Sequence, residues 1–174
     1  THAEGLGVDP ARVAVAGTSA GAMLAAVICQ QARVRGNPQP IAQILVYPWL
    51  DFTATGGSRD TCAEVFPLSS ATLSFFASLA LPDPTAARDV RASPGLAEEL
   101  WGLAPAVVVT AGFDPLRDEG NRYATVLKQA GIPVVHRLES SLTHSFTAFG
   151  GISKEARRAV DRLADDVAAV LGVD

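Results

Sequence analysis

Three residues of the sequence carry the side chains that serine-based acyl transfer requires. Ser19, Asp114 and His144 occur in that order along the chain. A serine hydroxyl can attack a carbonyl carbon if an imidazole removes its proton, and a carboxylate can hold that imidazole in the required tautomer. The order serine, acid, histidine predicts a nucleophile, an orienting acid and a general base that act through a covalent acyl-enzyme.

The pentapeptide GTSAG, residues 17–21, gives the serine a specific local setting. It follows the apolar stretch VAVA and precedes an apolar run that predicts a helix. A GxSxG turn between a strand and a helix is the nucleophile elbow, in which a strained backbone makes the serine hydroxyl project. We expect Gly17 and Gly21 to let the strand and the helix pass closely, and the backbone N–H of Ala20 to donate to an oxyanion at the helix start. The alternative is that this turn serves only packing or phosphate binding.

Four carboxylates compete for the role of the acid. Asp114 lies in GFDPLRDEG directly after a predicted strand and before a proline, and Asp51 in PWLDF also lies just past a strand. Asp118 and Glu119 fall in the first turn of a predicted helix, where a carboxylate interacts favourably with the helix dipole. These positions favour Asp114, with Asp51 as its main rival.

Three histidines are candidates for the base. His2 lies at the start of the sequence, and His136 lies within a predicted strand as a packed or edge residue. His144 lies in SSLTHSFTAFGG after the last predicted strand, where a general base can reach inward. Its position favours His144, although a single histidine in a loop can equally be a surface residue.

The rest of the sequence predicts one α/β domain over residues 1–174. Strands are predicted at 13–16, 41–48, 104–112 and 132–138, and helices at 20–35, 69–81, 96–101, 117–130 and 154–171. Residues 53–104 form an irregular helical insert that is too polar at its edges for a sheet. Because the strands are apolar on both faces and alternate with helices, we expect a parallel sheet of about four strands with helices on both faces. The first helix is apolar nearly all round, which predicts that it is covered on every side.

Composition argues against several classes of function. Fourteen Lys and Arg against 18 Asp and Glu give a net charge of −4. Since neither sign forms a long run, nucleic acid and anionic membranes are not expected partners. No stretch is long and apolar enough to span a membrane, and the start of the sequence lacks the pattern of a signal peptide. Cys29 and Cys62 have no neighbours at metal-ligand spacing, so we expect no metal, no cofactor and two reduced thiols in the cytoplasm.

The motifs GTSAG, TAGFDPLRDEG and HSF resemble those of the bacterial hormone-sensitive-lipase-like carboxylesterases, family IV of the α/β-hydrolase fold, and of their GTSAG subgroup in particular. The resemblance extends from about Val8 to Leu171. It implies hydrolysis of short-chain acyl esters, with Ser19 as nucleophile, Asp114 as acid and His144 as base. Residue 145 is a serine where the family usually has glycine. Leu116 and Phe146 flank the acid and the base, so they are candidates for the pocket wall or for ordinary packing.

The sequence departs from this family in one important respect. Family members carry an HGGG-type motif before the serine, whose N–H groups complete the oxyanion hole, and these 174 residues contain no such motif. The chain therefore resembles the carboxyl-terminal part of such an enzyme. We expect weak activity at best and an uncovered first strand that pairs with the missing amino-terminal half or with another copy. A homodimer through the last strand competes with that pairing. The alternative function is an inactive fragment that serves as a ligand-binding or self-associating module.

Overall fold

The computed structural model describes residues 2–173 and contains one parallel sheet. Its four strands are β1 (Val15–Thr18), β2 (Gln43–Val46), β3 (Ala106–Phe113) and β4 (Val134–Thr143), and they are ordered β1-β2-β3-β4. All three pairings are parallel. The four apolar runs thus form the predicted strands, and the prediction of an α/β fold is confirmed.

Six α-helices connect and cover the strands. They are α1 (Ala3–Leu6), α2 (Ala20–Val34), α3 (Ser58–Thr61), α4 (Ser70–Ala80), α5 (Arg117–Gln129) and α6 (Lys154–Leu171). Short 3-10 turns occupy Pro84–Arg88, Pro94–Leu96 and Phe146–Phe149. The side chains of Ser69 and Ser153 accept backbone N–H groups at the starts of α4 and α6, which stabilises both helix ends. No helix in the described part of the chain is long and apolar enough to cross a membrane.

The helices form layers on both faces of the sheet. On one face, α2 and α5 pack on the inward side chains of β2 and β3, among them Leu45 and Val108. On the other face, α6 packs on Ile44, Val107 and Val109. Alternate residues of each central strand therefore enter opposite cores, as a strand buried on both faces requires.

Strand β1 is an edge strand, and the region around it is incompletely covered. It pairs with β2 on one side, and exposed and half-buried residues alternate along it. On the neighbouring helix α2, Leu24 and Ile28 are 56% and 50% exposed. The prediction that α2 is covered on every side is therefore wrong for the part of the chain that is described, whereas the expected uncovered edge is present.

The segment predicted as an insert contains helical turns at Ser58–Thr61 and Pro84–Arg88 that the sequence does not predict, and it lacks one helix that the sequence does predict. The sequence predicts a helix at 96–101, but the only helical turn nearby is the 3-10 turn Pro94–Leu96, and Ala97 is extended. The backbone N–H of Gly95 donates to the carbonyl of Leu50 at 2.8 Å. Leu100 then enters the core beneath α2 and α5 from a non-helical segment. The contacts of Gly95 and Leu100 with the rest of the domain thus outweigh the helical spacing of apolar residues in 96–101.

Strand β4 is longer than the sequence predicts. It continues past the predicted end at residue 138 to Thr143, so His144 follows the strand directly. An irregularity in the β3–β4 register lies between Ala111 and Phe113. A Cβ on Gly112 would lie 2.0 Å from the carbonyl oxygen of Ser140, so only glycine fits this close approach. The extension carries the histidine to the carboxyl edge of the sheet.

Candidate active site

Ser19 occupies a strained turn between β1 and α2. Its φ and ψ are 53° and −122°, which a non-glycine residue rarely adopts. Its N–H donates to the carbonyl of Val46 at 2.9 Å, and its carbonyl accepts from the N–H of Trp49 at 3.2 Å. Strand β2 and the loop after it therefore hold the backbone in this conformation. Backbone strain of this kind persists only where surrounding contacts impose it, and it is concentrated at functional sites.

The two glycines of the motif have different environments. A Cβ on Gly17 would lie 2.2 Å from the carbonyl carbon and oxygen of Gly21 and 2.6 Å from the nitrogen of Ala22. A Cβ on Gly21 would meet no atom within 4 Å. Gly17 therefore permits the close approach of strand and helix. The expectation that Gly21 also needs to lack a side chain is not supported by its open surroundings.

The structure brings Ser19, His144 and Asp114 into one hydrogen-bonded chain. Nε2 of His144 lies 3.0 Å from Oγ of Ser19, and Nδ1 of His144 lies 2.7 Å from Oδ2 of Asp114. The acid and the histidine are buried, and Ser19 is half-buried. With the proton of the neutral imidazole on Nδ1, this arrangement lets Nε2 accept the serine proton.

The competing acid Asp51 lies elsewhere in the hydrogen-bond network. Its Oδ1 accepts the backbone N–H of Thr53 at 2.7 Å and the hydroxyl of the same threonine at 2.6 Å, which closes a local turn. In Asp114, by contrast, Oδ1 accepts the backbone N–H of Leu116 at 2.8 Å, which leaves Oδ2 for His144. The geometry favours Asp114 over Asp51 as the acid.

Glu119 and Asp118 do more than the helix-dipole role that the sequence suggests. Oε1 of Glu119 accepts the backbone N–H groups of Leu50 and Asp51 at 2.7 and 3.2 Å, and Oε2 pairs with Arg59 at 2.6 Å. Asp118 accepts the N–H of Ser58 at 2.8 Å. These contacts fasten the loop after β2 and helix α3 to the segment that bears Asp114.

Burial raises the pKa of Glu119 to about 7, although Arg59 and the two backbone N–H groups favour the carboxylate. Desolvation of a carboxylate disfavours its charged form, and here it outweighs the opposing contacts. No sequence pattern distinguishes this glutamate from a surface residue of the first helical turn. Its partners come from a loop about 70 positions earlier in the sequence.

The residue after the histidine has a backbone conformation that favours glycine. Ser145 has φ 59° and ψ 24°, which is the left-handed conformation. A residue with a Cβ is strained there, whereas glycine is not. The other histidines lie apart from this chain of hydrogen bonds. His136 on β4 lies 3.0 Å from Oδ1 of Asn121, and His2 is exposed.

Ala20, the first residue of α2, is the one oxyanion donor expected from the motif. It is exposed and follows Ser19 directly. The N–H groups in the first turn of a helix have no intrahelical acceptor, so this N–H is free to bind a negative oxygen.

The two candidate pocket residues are buried. Leu116 packs in a cluster with Trp49, Leu68 and Leu73, and Phe146 packs in the core beneath α6. Leu116 has the surroundings of an ordinary core residue, because almost none of its surface is accessible. A cleft of about 240 Å³ lies on the insert side of the Trp49 cluster. It is lined by Trp49, Phe52, Arg59, Ser70, Leu73 and Ala77, among others. Among the described residues, no group of His, Cys, Asp or Glu could hold a metal ion.

Comparison with known proteins agrees with this geometry. Residues 1–148 match a family described as having the alpha/beta hydrolase fold. The chain belongs to this alpha/beta hydrolase family. Carboxylic ester hydrolase LipN of Mycobacterium tuberculosis is 48% identical over 145 residues, covering 80% of this chain and 39% of LipN. Ethyl acetate hydrolase of Pseudomonas putida is 36% identical over 156 residues, covering 89% of this chain and 49% of that enzyme.

A solved structure shows the same fold. A thermophilic carboxylesterase cloned from a metagenomic library superposes with a TM-score of 0.91 at 39% identity, covering 98% of this hydrolase chain and 58% of that enzyme. These relatives agree with the resemblance to hormone-sensitive-lipase-like carboxylesterases. The chain spans about half the length of the curated relatives that it matches, or less.

Proposed function

We propose that this α/β-hydrolase chain hydrolyses carboxylic esters by means of Ser19, His144 and Asp114. The observation that carries the proposal is the continuous chain of hydrogen bonds from Ser19 through His144 to Asp114, at 3.0 and 2.7 Å. The names of the similar proteins, an ethyl acetate hydrolase and several esterases, support esters as the substrate class.

The reaction has two halves. Nε2 of His144 takes the hydroxyl proton while Oγ of Ser19 bonds to the ester carbonyl carbon, and the carbonyl oxygen becomes an oxyanion. Collapse of this intermediate breaks the bond to the alcohol, which leaves with the proton from His144, and an acyl-serine remains. Water then repeats the sequence, with His144 as its base, and releases the acid. Asp114 stays ionised throughout and stabilises the imidazolium.

Stabilisation of the oxyanion limits the expected rate of these 174 residues. The N–H of Ala20 supplies one donor, and the loss of one oxyanion donor from a working site costs about 3 kcal/mol, or roughly a hundred- to thousandfold in rate. We therefore expect the isolated chain to be a slow esterase. The hydrogen bond between Ser19 and His144 supports a catalytic role for the chain over a role in ligand binding alone.

We propose short acyl esters as the substrates. Small substrates need few contacts beyond the reacting carbonyl, and the relative that acts on ethyl acetate by name supports this choice. The cleft beside Trp49 is a candidate for the acyl site, because Trp49 lines it and the backbone N–H of Trp49 donates to the carbonyl of Ser19 at 3.2 Å.

The test is turnover of p-nitrophenyl acetate. We expect slow hydrolysis by the unmodified chain and none above background for Ser19→Ala. Ser78→Ala is the matched control, because that exposed hydroxyl donates only to the carbonyl of Phe75 in its own helix. If Ser19→Ala turns over ester as fast as the unmodified chain, the proposed function is wrong.

We further propose that the domain is completed along β1, by the amino-terminal half of the fold or by a second copy of the chain. Exposed apolar side chains at Leu24 and Ile28 next to an edge strand support this proposal. Light scattering of the isolated chain tests the second copy. A monomer at all concentrations would contradict self-association, and an added amino-terminal half would then be expected to restore rapid turnover.

Two unpaired buried thiols, Cys29 and Cys62, support a reducing compartment. We propose the cytoplasm as the site of action. Fractionation of the source cells with an antibody against the chain tests this location.

A further inference from the structure

Tyr47 is a strained aromatic residue at the end of β2, beside the candidate active site. Its φ is 38°, a positive value that is rare for a bulky side chain. Its backbone N–H donates to the carbonyl of Val109 at 2.6 Å, which ties this unusual backbone to β3. Strain at one residue persists only where neighbouring structure imposes it, so the direction of this side chain requires an explanation.

The tyrosine ring contacts the histidine of the hydrogen-bonded chain. Its centroid lies 4.8 Å from the centroid of the His144 ring at an interplanar angle of 61°, and 5.3 Å from that of Phe146 at 78°. Both are edge-to-face arrangements, which aromatic rings favour. The ring is only 3% exposed, so a substrate cannot reach it.

The hydroxyl of Tyr47 is anchored on the turn that follows the base. It forms a hydrogen bond with Oγ1 of Thr147, in the turn that follows His144. Burial raises the pKa of this phenol, and its hydrogen bond with the side chain of Thr147 opposes that rise.

The imidazole needs such a contact. Its hydrogen bonds to Asp114 and to Ser19 both act at ring nitrogens, in the plane of the ring, so neither of them contacts a face of the ring. Rotation of the ring about its bond to Cβ moves Nε2 out of line with the serine hydroxyl, and small misplacements at a reacting atom are costly in rate. A rigid ring packed against the imidazole restricts that rotation.

We propose that Tyr47 is a positioning residue that fixes the orientation of the His144 imidazole, through its ring contact with His144 and its hydroxyl contact with Thr147. The proposal rests on the esterase function proposed above. It does not make Tyr47 a catalytic residue, because the phenol touches neither substrate nor the reacting atoms. It therefore predicts a change in kcat with little change in KM.

The chain offers a matched control, because its only other tyrosine is also buried and hydrogen-bonded. The hydroxyl of Tyr123 accepts from Nε2 of Gln30 at 3.1 Å in the core on the opposite face of the sheet. Tyr47→Phe and Tyr123→Phe each remove one buried hydroxyl, so we expect similar losses of thermal stability. Only Tyr47→Phe should lower kcat, by roughly two- to tenfold.

Substitutions of Thr147, the hydrogen-bond partner of Tyr47, provide a second test. Thr147→Val removes the hydroxyl that bonds to Tyr47 and should reproduce the effect of Tyr47→Phe. The double variant should be no worse than either single one, and Thr147→Ser, which keeps a hydroxyl, should keep the kcat of the unmodified chain. Tyr47→Leu removes the ring as well, and we expect roughly a ten- to hundredfold loss of kcat.

A measurement independent of turnover separates this proposal from the function on which it rests. In ¹⁵N-histidine-labelled protein, the Nδ1–H signal of His144 should be sharp and strongly deshielded, and Tyr47→Leu should broaden it while Tyr123→Phe leaves it unchanged. Unaltered kcat and an unaltered His144 signal in Tyr47→Leu would overturn the proposal. If the unmodified chain hydrolyses no ester, the esterase function fails, and the His144 signal alone still decides the role of Tyr47.

Discussion

Replacement of Gly17 or Gly21 in the GTSAG turn by alanine should have different effects on stability and turnover, because Gly17 is tightly packed and Gly21 faces open space. In Gly17→Ala, the new Cβ would lie 2.2 Å from the carbonyl group of Gly21. An ordinary van der Waals contact requires more than 3.4 Å. The strand and the helix must therefore separate by about 1 Å, and a displacement of that size at a reacting group costs roughly a hundredfold in rate.

The shift acts directly on the serine. Oγ of Ser19 lies 3.0 Å from Nε2 of His144, so a separation of the elbow breaks this hydrogen bond. Overpacking also lowers the free energy of unfolding by about 1 to 3 kcal/mol. Gly21→Ala is the control. Its Cβ meets no atom, and alanine is the better helix former, so the free energy of unfolding should rise by up to about 1 kcal/mol with ester turnover unchanged.

The assay combines urea unfolding followed by circular dichroism with turnover of p-nitrophenyl acetate. We expect Gly17→Ala to lose both stability and turnover and Gly21→Ala to lose neither. Equal effects of the two substitutions would refute the view that the close approach depends on Gly17 alone.

Three further predictions concern Glu119, Ser145 and the two candidate acids. The folded-state pKa of Glu119 is about 7, against an ordinary value of 4.5. The contribution of Glu119 to stability is therefore complete below pH 4.5 and falls by about 3 kcal/mol as the pH rises to 7. Urea unfolding across this range should show the free energy of unfolding decreasing with pH, and Glu119→Gln should flatten that decrease. Ser145→Gly should raise the free energy of unfolding by about 1 kcal/mol by relieving the left-handed backbone, and a lower melting temperature would contradict this. Asp114→Asn should reduce kcat by roughly 10⁴-fold, whereas Asp51→Asn should change it little, and similar losses would restore Asp51 as the acid.

The sequence predicts the sheet and the three polar side chains at its carboxyl edge because each has a local signal. Apolar runs of four to nine residues identify β1 to β3, and GTSAG fixes the position of Ser19. Positions directly after predicted strands favour Asp114 and His144, which the structure brings together. Their roles in the chemistry remain predictions.

The contacts that hold these groups carry no local signal. Glu119 resembles any acidic residue of a first helical turn, and its function in docking Leu50 depends on a tertiary contact. Tyr47 appears in the sequence as the end of an apolar strand, yet its backbone turns and places the ring on His144. The predicted helix at 96–101 is wrong for the same reason, because Gly95 is fastened to Leu50.

The fold also contains a strand extension that the spacing of apolar residues does not predict. Strand β4 continues through ESSLT, which is too polar to predict a strand but pairs with β3 beyond a register irregularity. The polar residues are tolerated because Ser140 and Ser141 are exposed and the buried Glu139 pairs with Arg162. This extension places His144 at the level of Ser19.

The most direct test of the central claim is covalent labelling of the chain with a fluorophosphonate, followed by intact mass measurement and peptide mapping. The account predicts one adduct per chain, located on Ser19, absent from Ser19→Ala and strongly slowed in His144→Ala, with His136→Ala as an unaffected control. No adduct on the folded chain, or an adduct that persists in Ser19→Ala, would contradict the assignment of Ser19 as an activated nucleophile.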